Sequence, residues 1–137
     1  MYKSKIHYTN KAVKDLFEDI QVVDEAGKAH KVPLIWANNE KVMTIITDMK
    51  NFKPPVMSIL DTDIRLQDGQ PVIAYELNCY TTYEEEMNQI IEQIILMFDN
   101  KGNCKLTHTA RTESVLNRWL FHLEVEGIGV PVRTKGE

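Results

Sequence analysis

Apolar residues recur at three- and four-residue intervals in three stretches of the chain and at every second residue in several others, so helices and strands should alternate along it. From Asn10 to Asp19, Val13, Leu16, Phe17 and Ile20 mark the buried stripe of a short amphipathic helix, with Thr9 or Asn10 as its cap. Ile20 to Val23 and Ala29 to Trp36 are β-prone and flank Asp24-Glu25-Ala26-Gly27-Lys28, which predicts a hairpin. Pro33 cannot donate a ladder hydrogen bond, so the second strand should lie at an edge or break there. A second helix is expected from a cap at Asn38 or Asn39 to about Lys50, with Val42, Ile45, Ile46 and Met49 on one face, and Pro54-Pro55 bars its continuation.

Val56 to Gln67 and Val72 to Thr82 predict an antiparallel pair joined through Asp68-Gly69-Gln70-Pro71. In the second strand Ile73, Tyr75, Leu77 and Cys79 alternate with Ala74, Glu76, Asn78 and Tyr80, so the first set should meet a helix. That helix is expected from Tyr83 to Phe98. Its cap would be Thr81 or Thr82, each followed three residues later by a glutamate, Glu84 or Glu85. Met87, Ile90, Ile91, Ile94, Ile95 and Phe98 form its apolar stripe, and Asn100-Lys101-Gly102 should end it. At about 1.5–3 kcal/mol per buried side chain, this stripe is the expected centre of the core. Lys105 to Ala110 and Arg118 to Glu126 complete the pattern as strands, the latter with Trp119, Phe121, Leu123 and Val125 alternating against Arg118, Leu120, His122 and Glu124.

The expected order is α-β-β-α-β-β-α-β-β. Paired strands between helices imply an α+β fold in which a mainly antiparallel, mixed sheet packs against two or three helices. With 137 residues, no internal repeat and no Gly/Ser linker, residues 1–137 are expected to form a single domain. Hydrophobic residues at 43% and charged residues at 26% fit a globular chain rather than a disordered one. A net charge of −4 argues against bulk attraction to nucleic acid or an anionic membrane, and no specific nucleic-acid or membrane partner is expected. No apolar run reaches the roughly 18–20 residues that cross a bilayer, and no signal-peptide pattern follows Met1, so cytoplasmic assembly is the expectation. The two cysteines, Cys79 and Cys104, lack CxxC spacing and should be reduced, apolar packing residues.

Candidate chemistry is thin. Glu84, Glu85 and Glu86 are consecutive, so their carboxylates would diverge around a helix, and acids in a first turn are favoured by the helix dipole without catalysis. Cys104 and His108 on one strand would stand about 13 Å apart, too far for one tetrahedral ion. The four histidines His7, His30, His108 and His122 are scattered, and no G-x-S-x-G elbow surrounds Ser4, Ser58 or Ser114. Dispersed glycines form neither a G-x-G-x-x-G nor a phosphate loop. No catalytic residue, cofactor or metal is expected.

Charge is unevenly distributed. Residues 1–14 carry Lys3, Lys5, Lys11 and Lys14 with no acid, and residues 15–25 carry Asp15, Glu18, Asp19, Asp24 and Glu25 with no base. Lys11–Asp15 and Lys14–Glu18 pairs on a solvated helix would explain this. The sharper alternative is docking of a basic N-terminal arm, led by Lys3 and Lys5, on an acidic surface of another subunit.

The run Tyr75-Glu76-Leu77-Asn78-Cys79-Tyr80-Thr81-Thr82-Tyr83-Glu84-Glu85-Glu86-Met87-Asn88-Gln89-Ile90-Ile91-Glu92-Gln93-Ile94 resembles the strand-into-helix core of tail terminators, the sheath-stabilising and tail-completion proteins of contractile-tailed bacteriophages. Two further stretches keep the order of that family: Leu16 to Trp36, with Lys31-Val32-Pro33-Leu34, and Arg118 to Val132, with Trp119-Leu120-Phe121 and Glu124-Val125-Glu126-Gly127 before Pro131-Val132. The resemblance implies a non-enzymatic virion protein, a homo-hexameric ring at the tail–neck junction. Such a ring would cap the tail tube, hold the last sheath ring and face the neck proteins. A head-completion connector is the alternative. Under either reading Lys3, Lys5, Lys11, Lys14, Glu84 and Glu85 are the candidate interface residues.

Overall fold

A computed structural model describes residues 3–48, 53–98, 102–113, 116–128 and 132. Its elements are α1 (Lys5–Leu16), β1 (Gln21–Val23), β2 (Ala29–Lys31), β3 (Leu34–Trp36), α2 (Asn39–Asp48), β4 (Val56–Gln67), β5 (Gln70–Thr81), α3 (Glu84–Met97), β6 (Cys104–Thr112) and β7 (Asn117–Glu126). β1 and β2 form the expected antiparallel hairpin. The other strands make a five-stranded sheet in the order β3-β4-β5-β7-β6, antiparallel except where β3 runs parallel to β4. The chain is thus a single α+β domain with a mixed sheet, as the pattern predicts.

β3 is an addition to the predicted order. Pro33 breaks Ala29 to Trp36 into two strands, because the residue before it sits between ladders and its own carbonyl accepts from Met57 N–H at 2.8 Å. Leu34–Trp36 then leaves the hairpin and becomes an edge of the main sheet. Between β4 and β5 the turn tightens to Asp68-Gly69, whose φ values of 53° and 79° are the left-handed pair that a two-residue hairpin requires. Pairing therefore begins at Gln67↔Gln70, and β5 starts two residues before the expected Val72.

The first helix begins earlier than its apolar stripe suggests. Ser4 is the cap, its Oγ accepting from His7 N–H at 3.1 Å, so Lys5 stands in the first helical turn. The expected caps have other roles inside the helix: Thr9 Oγ1 donates back to Lys5 carbonyl at 2.9 Å, and Asn10 Oδ1 accepts from Tyr75 Oη at 2.5 Å. The second helix agrees with the expected start, since Asn38 Oδ1 accepts from Lys41 N–H at 2.9 Å. Its expected end, including Met49 and Lys50, lies outside the described residues, as do Asn100 and Lys101 after α3.

The core lies on one face of the sheet. Val13, Leu16 and Phe17 from α1, Ile20, Val22 and Val32 from the hairpin, and Met87, Ile90 and Ile94 from α3 close over Met57, Ile59, Ile73, Tyr75, Leu77, Cys79, Phe121, Leu123 and Val125. α2 covers one end of the opposite face, where Ala37, Val42, Val56 and Tyr80 form a second, smaller cluster. Tyr80, assigned by alternation to the more polar face, is fully buried there and its hydroxyl donates to Asn39 Oδ1 at 2.5 Å.

Candidate assembly surfaces

α3 differs from its predicted cap. β5 runs through Thr81, whose buried hydroxyl is occupied by the Tyr83 carbonyl at 2.9 Å, so the helix starts later and Tyr83 is an N-cap without a side-chain cap bond. The predicted capping boxes at Thr81–Glu84 and Thr82–Glu85 therefore do not form. The reaching-back acid is instead Glu86, three residues past the cap, which faces the Tyr83 backbone N–H. Burial pushes the Glu86 carboxyl up, a shift that this N–H opposes. Beside it, Asp24 accepts from Ala26 and Lys28 N–H, both at 2.9 Å, and contacts His30 Nε2 at 2.6 Å, which holds its carboxyl below the usual range. These contacts tie the β1–β2 turn to itself next to the start of α3.

Two glutamines that carry the family resemblance have a structural task that apolar periodicity does not reveal. Gln89 accepts from Val23 N–H at 2.8 Å and donates to Val23 carbonyl at 3.2 Å; Gln93 accepts from Gln21 N–H at 3.3 Å and donates to Gln21 carbonyl at 2.7 Å. Each primary amide mimics a strand residue, so α3 satisfies the free edge of β1 as a neighbouring strand would. The legible signal was two glutamines four residues apart, which fall on one helix face.

The predicted interface residues separate into two regions. Lys3 and Lys5 are exposed at the start of α1, while Lys11 and Lys14 line a groove of about 350 Å³ with His7, Asn10, Trp36 and Asp61. His7, Trp36 and Asp61 were not among the sequence candidates, because only the tertiary fold brings β3 and β4 beside α1. The described ion pairs do not include Lys11–Asp15 or Lys14–Glu18. Glu84 and Glu85 are exposed in the first turn of α3, with Glu84 Oε1 4.0 Å from Arg111 Nη1. Arg111 belongs to β6 and Trp36 to β3, the two outer strands of the sheet. The lysine groove and this acidic turn thus stand toward opposite edges and do not meet within one chain.

Of the remaining chemistry-bearing residues, the two cysteines are built into the packing and the paired histidines are not. Cys79 and Cys104 are both buried free thiols; burial raises Cys79 and pushes Cys104 up to about 12. A β-bulge between Leu106 and His108 inverts the alternation of β6. Cys104 therefore points into the core while His108 lies beside His122 on the other face, ring centroids 5.6 Å apart.

No curated protein matches the chain. A family model matches residues 71–119, which span β5, α3, β6 and the start of β7. Over this strand–helix–strand segment, which supplies much of the core and both edge-binding glutamines, the chain is similar to the T4-like virus Myoviridae tail sheath stabiliser family.

Proposed function

We propose that this protein is a structural component of a contractile phage tail, a sheath stabiliser that works as a ring of six copies on the end of the tail tube. The family match over residues 71–119 carries this reading. The ring caps the finished tube, contacts the last sheath ring and presents its other side to the neck. A heterologous interface closes into a ring when its rotation allows, and a sixfold tube demands a sixfold cap. A lysine-lined groove beside β3 and β4 and an acidic helix, α3, suit that kind of contact, in which each copy offers two different surfaces. The family match supports action by binding rather than by catalysis; both thiols are buried, and Asp24 is engaged in the hairpin turn.

Electron microscopy of the purified protein mixed with tail tubes tests the reading. Six-fold rings at one tube end are the expected result. Binding to filled heads but not to tubes would move the protein to the connector class, and a strict dimer in solution and in the virion would refute the ring.

A further inference from the structure

The two helices that flank the core face carry opposite charge. α1 holds three lysines, one histidine and one aspartate, and Lys3 precedes it; α3 holds four glutamates and no base. His7, Lys11 and Lys14 follow one another at i, i+4 and i+7, so they share a helix face, and they line the groove whose far wall is Trp36 and Asp61. Tyr8 is exposed beside it and contacts His7 edge to face. On α3, Glu85 and Glu92 are exposed seven residues apart on the outer side, and the same side ends in Ile95 and Leu96, 46% and 76% exposed. Glu84 is less available because Arg111 lies next to it.

We infer that the α1 groove is the docking site for the outer face of α3 in a second copy of this chain. Lys11 and Lys14 meet Glu85 and Glu92, and Tyr8 gives the exposed parts of Ile95 and Leu96 an apolar surface. Charge complementarity selects this occupant: the groove is basic apart from Asp61, and α3 itself carries acids and apolar residues with no base, Arg111 lying beside Glu84 rather than between Glu85 and Glu92. The groove lies by β3 and β4 while Glu85, in the first turn of α3, lies toward β6 and β7, so the two surfaces are offset within one copy and docking proceeds from copy to copy. The inference rests on the ring reading, and names the surfaces through which the ring would close.

Two charge-reversed variants test it. Lys11→Glu with Lys14→Glu leaves a copy with two acidic surfaces, and Glu85→Lys with Glu92→Lys leaves one with two basic surfaces. Each alone should self-associate at least about tenfold more weakly than wild type by sedimentation equilibrium, and added salt should narrow the gap. An equimolar mixture should recover assembly, since every contact then joins unlike surfaces in an alternating ring. Misfolding could not produce that recovery. Carbodiimide cross-linking of wild type should join Lys11 or Lys14 to Glu85 or Glu92. Undiminished association of either variant, no recovery in the mixture, or cross-links confined to other residues would overturn the contact. Rings that close through these residues yet leave tail tubes bare would refute the capping role and keep the contact; capping by both separate variants would do the reverse.

Discussion

At the level of single residues, several side chains are fixed by one partner each, and their removal has a calculable direction. Tyr75 Oη is buried against Asn10 Oδ1, so Tyr75→Phe should lower stability by about 1 kcal/mol in denaturant titration. A methyl group at Gly69 would meet open space, but the backbone there has a φ of 79°, so Gly69→Ala should cost about 1–2 kcal/mol through backbone strain alone. Glu86 sets a pH dependence. Its folded carboxyl titrates above the ordinary value of 4.5, so its contribution favours folding below that pH and is lost as pH rises through the folded value. Glu86→Gln should therefore melt higher than wild type at neutral pH, with the advantage shrinking on acidification toward pH 4.5, as thermal melts across pH would read.

At the level of elements, α3 is the test case. Ile90 and Ile94 are fully buried, and truncating either to alanine should cost about 2–5 kcal/mol. Ile95 belongs to the predicted stripe but is exposed in the structure, because a helix packed on one sheet face buries a narrower arc than the run of isoleucines covers. Ile95→Ala should stay within about 0.5 kcal/mol for the isolated chain. Gln89→Ala with Gln93→Ala removes the amide pairing to β1. The expected loss is about 1–3 kcal/mol, with amide exchange at Gln21 and Val23 accelerating well before that of the central sheet.

At the level of the whole molecule, the distribution of charge matters more than its sum. The net −4 argues against bulk attraction to nucleic acid or an anionic membrane, yet α1 is basic and α3 acidic, and the fold sets them apart as separate surfaces. Lys3→Glu with Lys5→Glu should leave thermal stability within about 0.5 kcal/mol, since both lysines are exposed at the start of α1. Tail capping by that variant should slow, most at low ionic strength where screening is least, when compared at two salt concentrations. Equal capping at both would return these lysines to a solvated helix end.

Local chemistry determined much of this protein from sequence alone. Period-two and period-four apolar spacing placed the long strands and α3, Asp-Gly placed the β4–β5 turn, and Pro33 placed a break, because each depends on residues within a few positions of one another. The tertiary structure decided what distant residues settle. Thr81 cannot cap α3 because its strand holds it in the sheet, Ser4 rather than Thr9 starts α1, and Leu34–Trp36 joins β4 because a parallel partner lies some twenty residues ahead. The two surfaces are the clearest instance. Lysine and glutamate positions were legible, but a groove walled by Trp36 and Asp61, and its separation from the acidic turn, exist only once the sheet has set the order of its strands.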